Sequence, residues 1–141
     1  MKHLIAYDIG TTGVKTCLFE VDDSIRLLGY AGKSYPLYIL ENGGAEQDGE
    51  DWWNAMCEST REVLKATGIA PERIEGVSFC SQMQGLVLVD KDGVPVHRPM
   101  SYMDQRAKEE IKKGIAHGFQ IAGANVCKLI KSYFVLWNLS I

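Results

Sequence analysis

Through residues 4–40 apolar and polar positions alternate in short blocks, the pattern of strands covered on one face. Leu4 to Tyr7, Val14 to Phe19 and Arg26 to Tyr30 read as three consecutive strands. The links between them, Gly10-Thr11-Thr12-Gly13 and Val21-Asp22-Asp23-Ser24, are short turn sequences, so the three should form an antiparallel meander. The third strand is expected to resume through Ser34 to Leu40, where Pro36 favours an edge position. Asn42-Gly43-Gly44 breaks the chain, and the period then changes. Trp53, Met56, Cys57, Thr60, Val63, Leu64 and Thr67 recur at helical spacing, and both Trp52 and Trp53 are expected as core anchors. Asp48 is placed to cap that helix, Glu50 and Asp51 suit its positive end, and Gly68 is a natural terminator.

Pro71-Glu72-Arg73 is a polar link to a strand over Ile74 to Phe79. A further strand is expected over Leu86 to Val89, turned by Asp90-Lys91-Asp92-Gly93 and returning through Val94-Pro95-Val96. The charged segment Asp104 to Lys113 has helical propensity, with Glu109 and Lys113 at favourable spacing and Asp104 as a candidate cap. Lys128 to Trp137 reads as a last helix. The sum is an α/β chain of one domain, residues 1–141, with a mixed sheet, an antiparallel three-strand meander and flanking helices.

Composition narrows the class without naming it. Hydrophobic residues at 46% and charged residues at 23% are ordinary for a folded soluble chain. A net charge of −3 gives no footprint for nucleic acid or an anionic membrane. Cys17, Cys57, Cys80 and Cys127 lack zinc-type spacing and read as reduced thiols, which fits a cytoplasmic protein. No run is long enough to span a membrane, and no signal-peptide core follows Met1. His3, His97 and His117 are isolated in sequence and read as surface residues.

Chemistry concentrates at three places. Asp8-Ile9-Gly10-Thr11-Thr12-Gly13-Val14-Lys15 ends an apolar strand in a carboxylate, turns on glycines and hydroxyls, and places a lysine at the next strand. Glycine lets backbone N–H groups approach an anion, and threonine hydroxyls and Lys15 add donors and charge. Asp8 could anchor a magnesium ion through its water shell. The loop is neither a Walker loop nor a dinucleotide fingerprint, and the same residues would also make a plain hairpin turn. The other two places are Gln82, Met83 and Gln84, and Asp104 with Gln105 and Arg106, both just past expected strand ends. They could hydrogen-bond a polyol, or be solvated loop residues. Ser81 lacks the context of a nucleophile.

The order of these motifs resembles the N-terminal domain of the FGGY carbohydrate kinases, most closely the xylulokinase branch. The Asp8–Lys15 stretch, Ala45-Glu46-Gln47-Asp48 to Trp52-Trp53, Ile74-Glu75-Gly76-Val77-Ser78 to Gln82-Met83-Gln84-Gly85, and Asp90-Lys91-Asp92-Gly93 to Asp104-Gln105-Arg106-Ala107 carry the likeness. It implies a ribonuclease-H-like, actin-type ATPase domain that pairs with a second domain, with ATP and sugar meeting in the cleft. It further implies transfer of the γ-phosphoryl group of Mg-ATP to a sugar hydroxyl, D-xylulose above all, with glycerol or another polyol as alternative. Asp8 would organise Mg2+. Gly10, Thr11, Thr12 and Lys15 would face the phosphates, and Gln82, Met83, Gln84, Asp104 and Arg106 the sugar. Gln84 departs from the histidine of the xylulokinase pattern, Gly49 from its proline, and Tyr102-Met103 from the usual Trp-Asn pair. The family's general base and adenine pocket belong to the second domain, so this chain alone should not phosphorylate sugar. A non-catalytic module binding a sugar or a protein partner is the competing reading. A homodimer remains open.

Overall fold

The computed structural model describes residues 2–111, together with the backbone of residues 120–121 and 124–125. The chain divides into two compact units, Met1–Asp104 and Gln105–Ile141. In the second, the described parts are a short helical turn α2 (Lys108–Glu110) and the antiparallel pair β7 (Gln120–Ile121) and β8 (Ala124–Asn125). Lys128 to Trp137 and His117 lie outside the described residues.

The first unit is a four-stranded sheet carrying one long helix. β1 (Lys2–Ile9), β2 (Gly13–Val21) and β3 (Ile25–Ser34) form the expected antiparallel meander, each strand longer than its apolar block because the ladder continues through its polar ends. The segment after Ser34 does not continue β3. It breaks at Tyr35-Pro36-Leu37, and β4 (Tyr38–Ile39) turns over Asn42-Gly43-Gly44 to pair with β5 (Ala45–Glu46). Helix α1 (Gly49–Thr67) follows, then β6 (Ile74–Ser81), which pairs in parallel with β1. The sheet order is β3-β2-β1-β6. A parallel neighbour demands a crossover, and α1 supplies it.

Helix α1 is bounded as its sequence requires. The Asp48 carboxylate accepts from the Glu50 N–H at 3.0 Å, and Gly68, at φ 71°, ends the helix by donating to the Leu64 carbonyl at 2.9 Å. Its covered face is the expected one through Met56, Thr60, Val63, Leu64 and Thr67, with Trp53 as the exception. Ala55, Ser59 and Val63 are its fully buried residues, whereas Trp53 is 60% exposed and lies outside both core clusters. The small residues let the helix lie close to the sheet, and Trp52 is the tryptophan that packs, against Val14, Tyr35 and Ala55. Ile5, Leu18, Ala31 and Val63 form the other core cluster.

Hydroxyls are buried in the same interface. Ser59 Oγ donates to the Ala55 carbonyl at 2.8 Å, so the 2.6 Å contact with Thr16 Oγ1 must take its proton from Thr16. By the same logic Tyr7 donates to Thr60 Oγ1 at 2.7 Å, since Thr60 gives its proton to the Met56 carbonyl. These pairs fix the register of helix on sheet where apolar contact alone would let it slide.

Two other expectations give way. His3 is buried at 4% exposure, 3.9 Å from Glu20, because its alternating position points it to the covered face. Leu86 to Val89 is not a strand. It makes isolated bridges, Leu86 to Met100 and Val89 to Pro95, around the expected Asp90–Gly93 turn. Pro95 and Pro99 lack the N–H donors a continuous ladder needs.

Candidate active site

The parallel pairing of β1 with β6 decides what meets. Both strands end at the same edge, and the Gln82 N–H extends the ladder to the Ile9 carbonyl at 2.8 Å. The Gly10–Gly13 turn therefore stands beside the Gln82–Gly85 segment, at the carboxyl ends of parallel strands, where open α/β sheets bind ligands.

The turn is held from one side. Tyr35 Oη donates to the Gly10 carbonyl at 2.5 Å, Gln47 Nε2 to the Thr11 carbonyl at 2.8 Å, and the Tyr35 N–H to the Thr12 carbonyl at 3.2 Å. Every peptide here is trans. In a trans peptide the carbonyl and the following N–H point opposite ways, so fixing the Gly10 and Thr11 carbonyls aims the Thr11 and Thr12 N–H groups away from those donors. Neither amide has an acceptor among the described residues. Gly10 contributes no amide: its N–H closes the turn onto the Gly13 carbonyl at 2.9 Å.

Tyr35 is buried, and its phenol is pushed up to about 12 by that burial and, secondarily, by the Asp8 carboxylate. It therefore remains a donor to Gly10 through the physiological range. A raised folded value means the unfolded phenol ionises first, so this contribution to stability is whole below pH 10 and is lost as pH climbs from about 10 to 12. Melting the chain and its Tyr35→Phe variant across that range should show the wild type's advantage shrinking. An advantage constant to pH 12 would contradict the assignment.

Asp8 sits opposite Lys15 on β2 and Cys80 on β6, one row across three strands. Lys15 Nζ is 3.3 Å from Asp8 Oδ2, and Cys80 Sγ is 3.7 Å from Oδ1. This pair is open to solvent, with side chains 76% and 51% exposed, so it adds little to stability and leaves both charges available. Among the described residues no three His, Cys, Asp or Glu groups gather into a metal cage. Asp8 could thus hold magnesium only as one carboxylate among phosphate oxygens and waters, the manner that ion favours.

Met83 and Gln84 are exposed beside the turn, and Gln84 occupies the left-handed region at φ 63°. That conformation costs a non-glycine residue about 1–2 kcal/mol, a kind of strain that collects at ligand sites. Gln82 does not present its amide to solvent: its Nε2 donates to Gln47 Oε1, while its own Oε1 is buried without a donor among the described residues. Asp104 does not cap a helix. Its carboxylate accepts from the Ala45 N–H at 3.1 Å, and helical backbone begins only at Lys108. Arg106 belongs to the second unit.

Gln47 had no assigned role from sequence, yet it is the junction of the site. It is 1% exposed, its backbone N–H donates to the Pro99 carbonyl at 2.9 Å, and its amide joins Thr11 to Gln82. The available signal was its place directly before the helix cap, in a segment already singled out for its likeness.

The sequence profile of the N-terminal domain of the FGGY family of carbohydrate kinases matches residues 3–137. The chain belongs to that family. It is 34% identical over 106 residues to a xylulose kinase of Bacillus subtilis, covering 75% of this chain and 21% of the relative. It is 31% identical over 115 residues to a glycerol kinase of Agrobacterium fabrum, covering 79% and 23%. The crystal structure of ligand-bound xylulose kinase from Lactobacillus acidophilus superposes with a TM-score of 0.71 at 26% identity, over 84% of this chain and 23% of that one. The fold is the actin-like ATPase fold of these FGGY sugar kinases. This FGGY chain spans about a fifth of the length of the curated relatives it matches.

Proposed function

We propose that this chain is the N-terminal part of an ATP-dependent sugar kinase that transfers a γ-phosphoryl group to a sugar hydroxyl, with D-xylulose as the favoured acceptor. The observation that carries the reading is the turn whose carbonyls are tied back by Tyr35 and Gln47, leaving the Thr11 and Thr12 amides for an anion. Phosphoryl transfer asks mainly for positioning and charge neutralisation. Thr11 and Thr12 donate to phosphate oxygens, Lys15 supplies a cation beside them, and Asp8 holds magnesium, which when bound supplies further neutralisation of the phosphates. Met83, Gln84 and Asp104 are the residues assigned to lining the sugar pocket, and the family resemblance adds Gln82 and Arg106 to the sugar-binding set.

Gln84 favours a second acceptor class, glycerol or another polyol. It stands where the xylulokinase pattern has histidine, and its left-handed backbone sets its side chain at an angle that an ordinary loop conformation would not give. A coupled ATPase assay over pentuloses and polyols separates the two in a longer protein bearing this sequence. D-Xylulose turnover above all others supports the first, glycerol turnover the second. The 141-residue chain tested on its own is expected to be inactive, because the resemblance assigns the proton acceptor to the family's second domain and such a group is worth ~10²–10⁴ in rate. Robust turnover by that chain would overturn the assignment of the base elsewhere. A non-catalytic module would bind sugar while ignoring magnesium nucleotide, which calorimetry reads directly.

A further inference from the structure

The Gln47 amide has an orientation that chemistry forces. The Thr11 carbonyl can only accept, so the NH2 end of Gln47 must face it. The carbonyl end of Gln47 then faces Gln82, whose NH2 must turn towards it, leaving Gln82 Oε1 as the buried end of the chain. The relay thus runs in one direction, from an acceptor on the turn, through two side-chain amides, to an acceptor with no donor among the described residues, two residues before Gln84. The same short segment also carries the loop bearing Asp104. The Ala45 carbonyl accepts from the Ser101 N–H at 2.8 Å, the Ala45 N–H donates to Asp104, and the Gln47 N–H donates to Pro99.

We propose that Gln47 is a positioning residue that couples the two halves of the site. It sets the Thr11–Thr12 peptide for an anion and ties that peptide's orientation to the Gln82–Gln84 segment. It touches neither ligand. A donor reaching the Gln82 acceptor, or a shift of that segment, changes the pull on the Thr11 carbonyl, and an anion drawing on the Thr12 N–H polarises the same chain from its other end in the same sense, so the two reinforce each other. Coupling of this kind is reciprocal. The proposal rests on the reading of the turn as an anion site.

The test uses inorganic tripolyphosphate and the 141-residue chain labelled with nitrogen-15. In the wild type, tripolyphosphate should shift the backbone amides of Thr11 and Thr12 and, with the same titration midpoint, the side-chain NH2 groups of Gln47 and Gln82. Gln47→Met keeps the volume and removes both hydrogen bonds. It should weaken tripolyphosphate by about fivefold to tenfold, the worth of one neutral hydrogen bond, and abolish the Gln82 response. Gln47→Glu keeps an acceptor for Gln82 but no donor for Thr11, and should weaken the anion at least as much. Shifts at Thr11 and Thr12 with an indifferent Gln82 in the wild type would overturn the coupling and leave the anion site standing. No shift at either threonine would overturn both. A Gln82 response that survives in Gln47→Met would overturn the coupling too, and Gln47→Glu gives the same reading if the methionine variant fails to fold.

Discussion

Replacing Leu18 with alanine is expected to lower unfolding stability by about 2–5 kcal/mol, read as a fall in the urea midpoint at unchanged slope. Leu18 is fully buried on β2 and packs with Ile5, Ala31 and Val63 at the point where α1 crosses the sheet. These neighbours come from two flanking strands and the helix, so none can close the space without breaking its own ladder or helical bonds. Val77→Thr on β6 is the contrast. Val77 is also apolar and in a strand, but 60% exposed, and its replacement should change stability by less than about 0.5 kcal/mol. Equal losses at the two positions would mean that the covered face has been assigned wrongly.

The second large effect is at Gly13. A Cβ there would lie 2.6 Å from the Lys33 carbonyl oxygen and 3.2 Å from the Ser34 Cα, both backbone atoms of β3. No side-chain movement relieves that clash, so the strands must part. The Tyr35 N–H bond to Thr12, one residue beyond the contact, loosens with them. Gly13→Ala should cost about 1–3 kcal/mol and weaken any anion held by the turn. Gly49→Ala should have the opposite sign. Nothing lies within 4 Å of its added Cβ, its φ is not left-handed, and alanine restricts the unfolded chain, for a gain of about 0.4–1 kcal/mol. Chemical denaturation of the two variants beside the wild type reads both signs. A neutral Gly13→Ala would show that the turn is not pinned against β3.

These substitutions show why part of the site was legible beforehand and part was not. The Asp8–Lys15 stretch could be read because its chemistry is local: a carboxylate, glycines, hydroxyls and a lysine within one turn. Its glycines, however, serve a different end from the one their type suggests. Neither Gly10 nor Gly13 adopts a positive φ, and Gly13 is demanded by a strand arriving twenty residues later. Gln47 was invisible in its role because nothing about a glutamine before a helix cap says that its two ends will meet Thr11 and Gln82. Asp104 illustrates the reverse. A carboxylate ahead of a charged, helix-prone run reads as a cap, but the Ala45 N–H offered it a partner from 59 residues away.

What the sequence alone determined were the elements whose causes lie within a few residues. The meander follows from alternation and tight turns, the ends of α1 from Asp48 and Gly68, and the turn of the Asp90–Gly93 hairpin from its own side chain and glycine. Tertiary structure alone decided the parallel pairing of β1 with β6, the rotation of α1 that buries Ala55 and Ser59 and exposes Trp53, and the burial of His3. It also decided that the turn's carbonyls face the protein and two of its amides do not. Local signals cannot carry these outcomes, because each depends on which surface a distant strand or helix brings to the contact, and that is settled by packing and hydrogen-bond satisfaction across the whole unit.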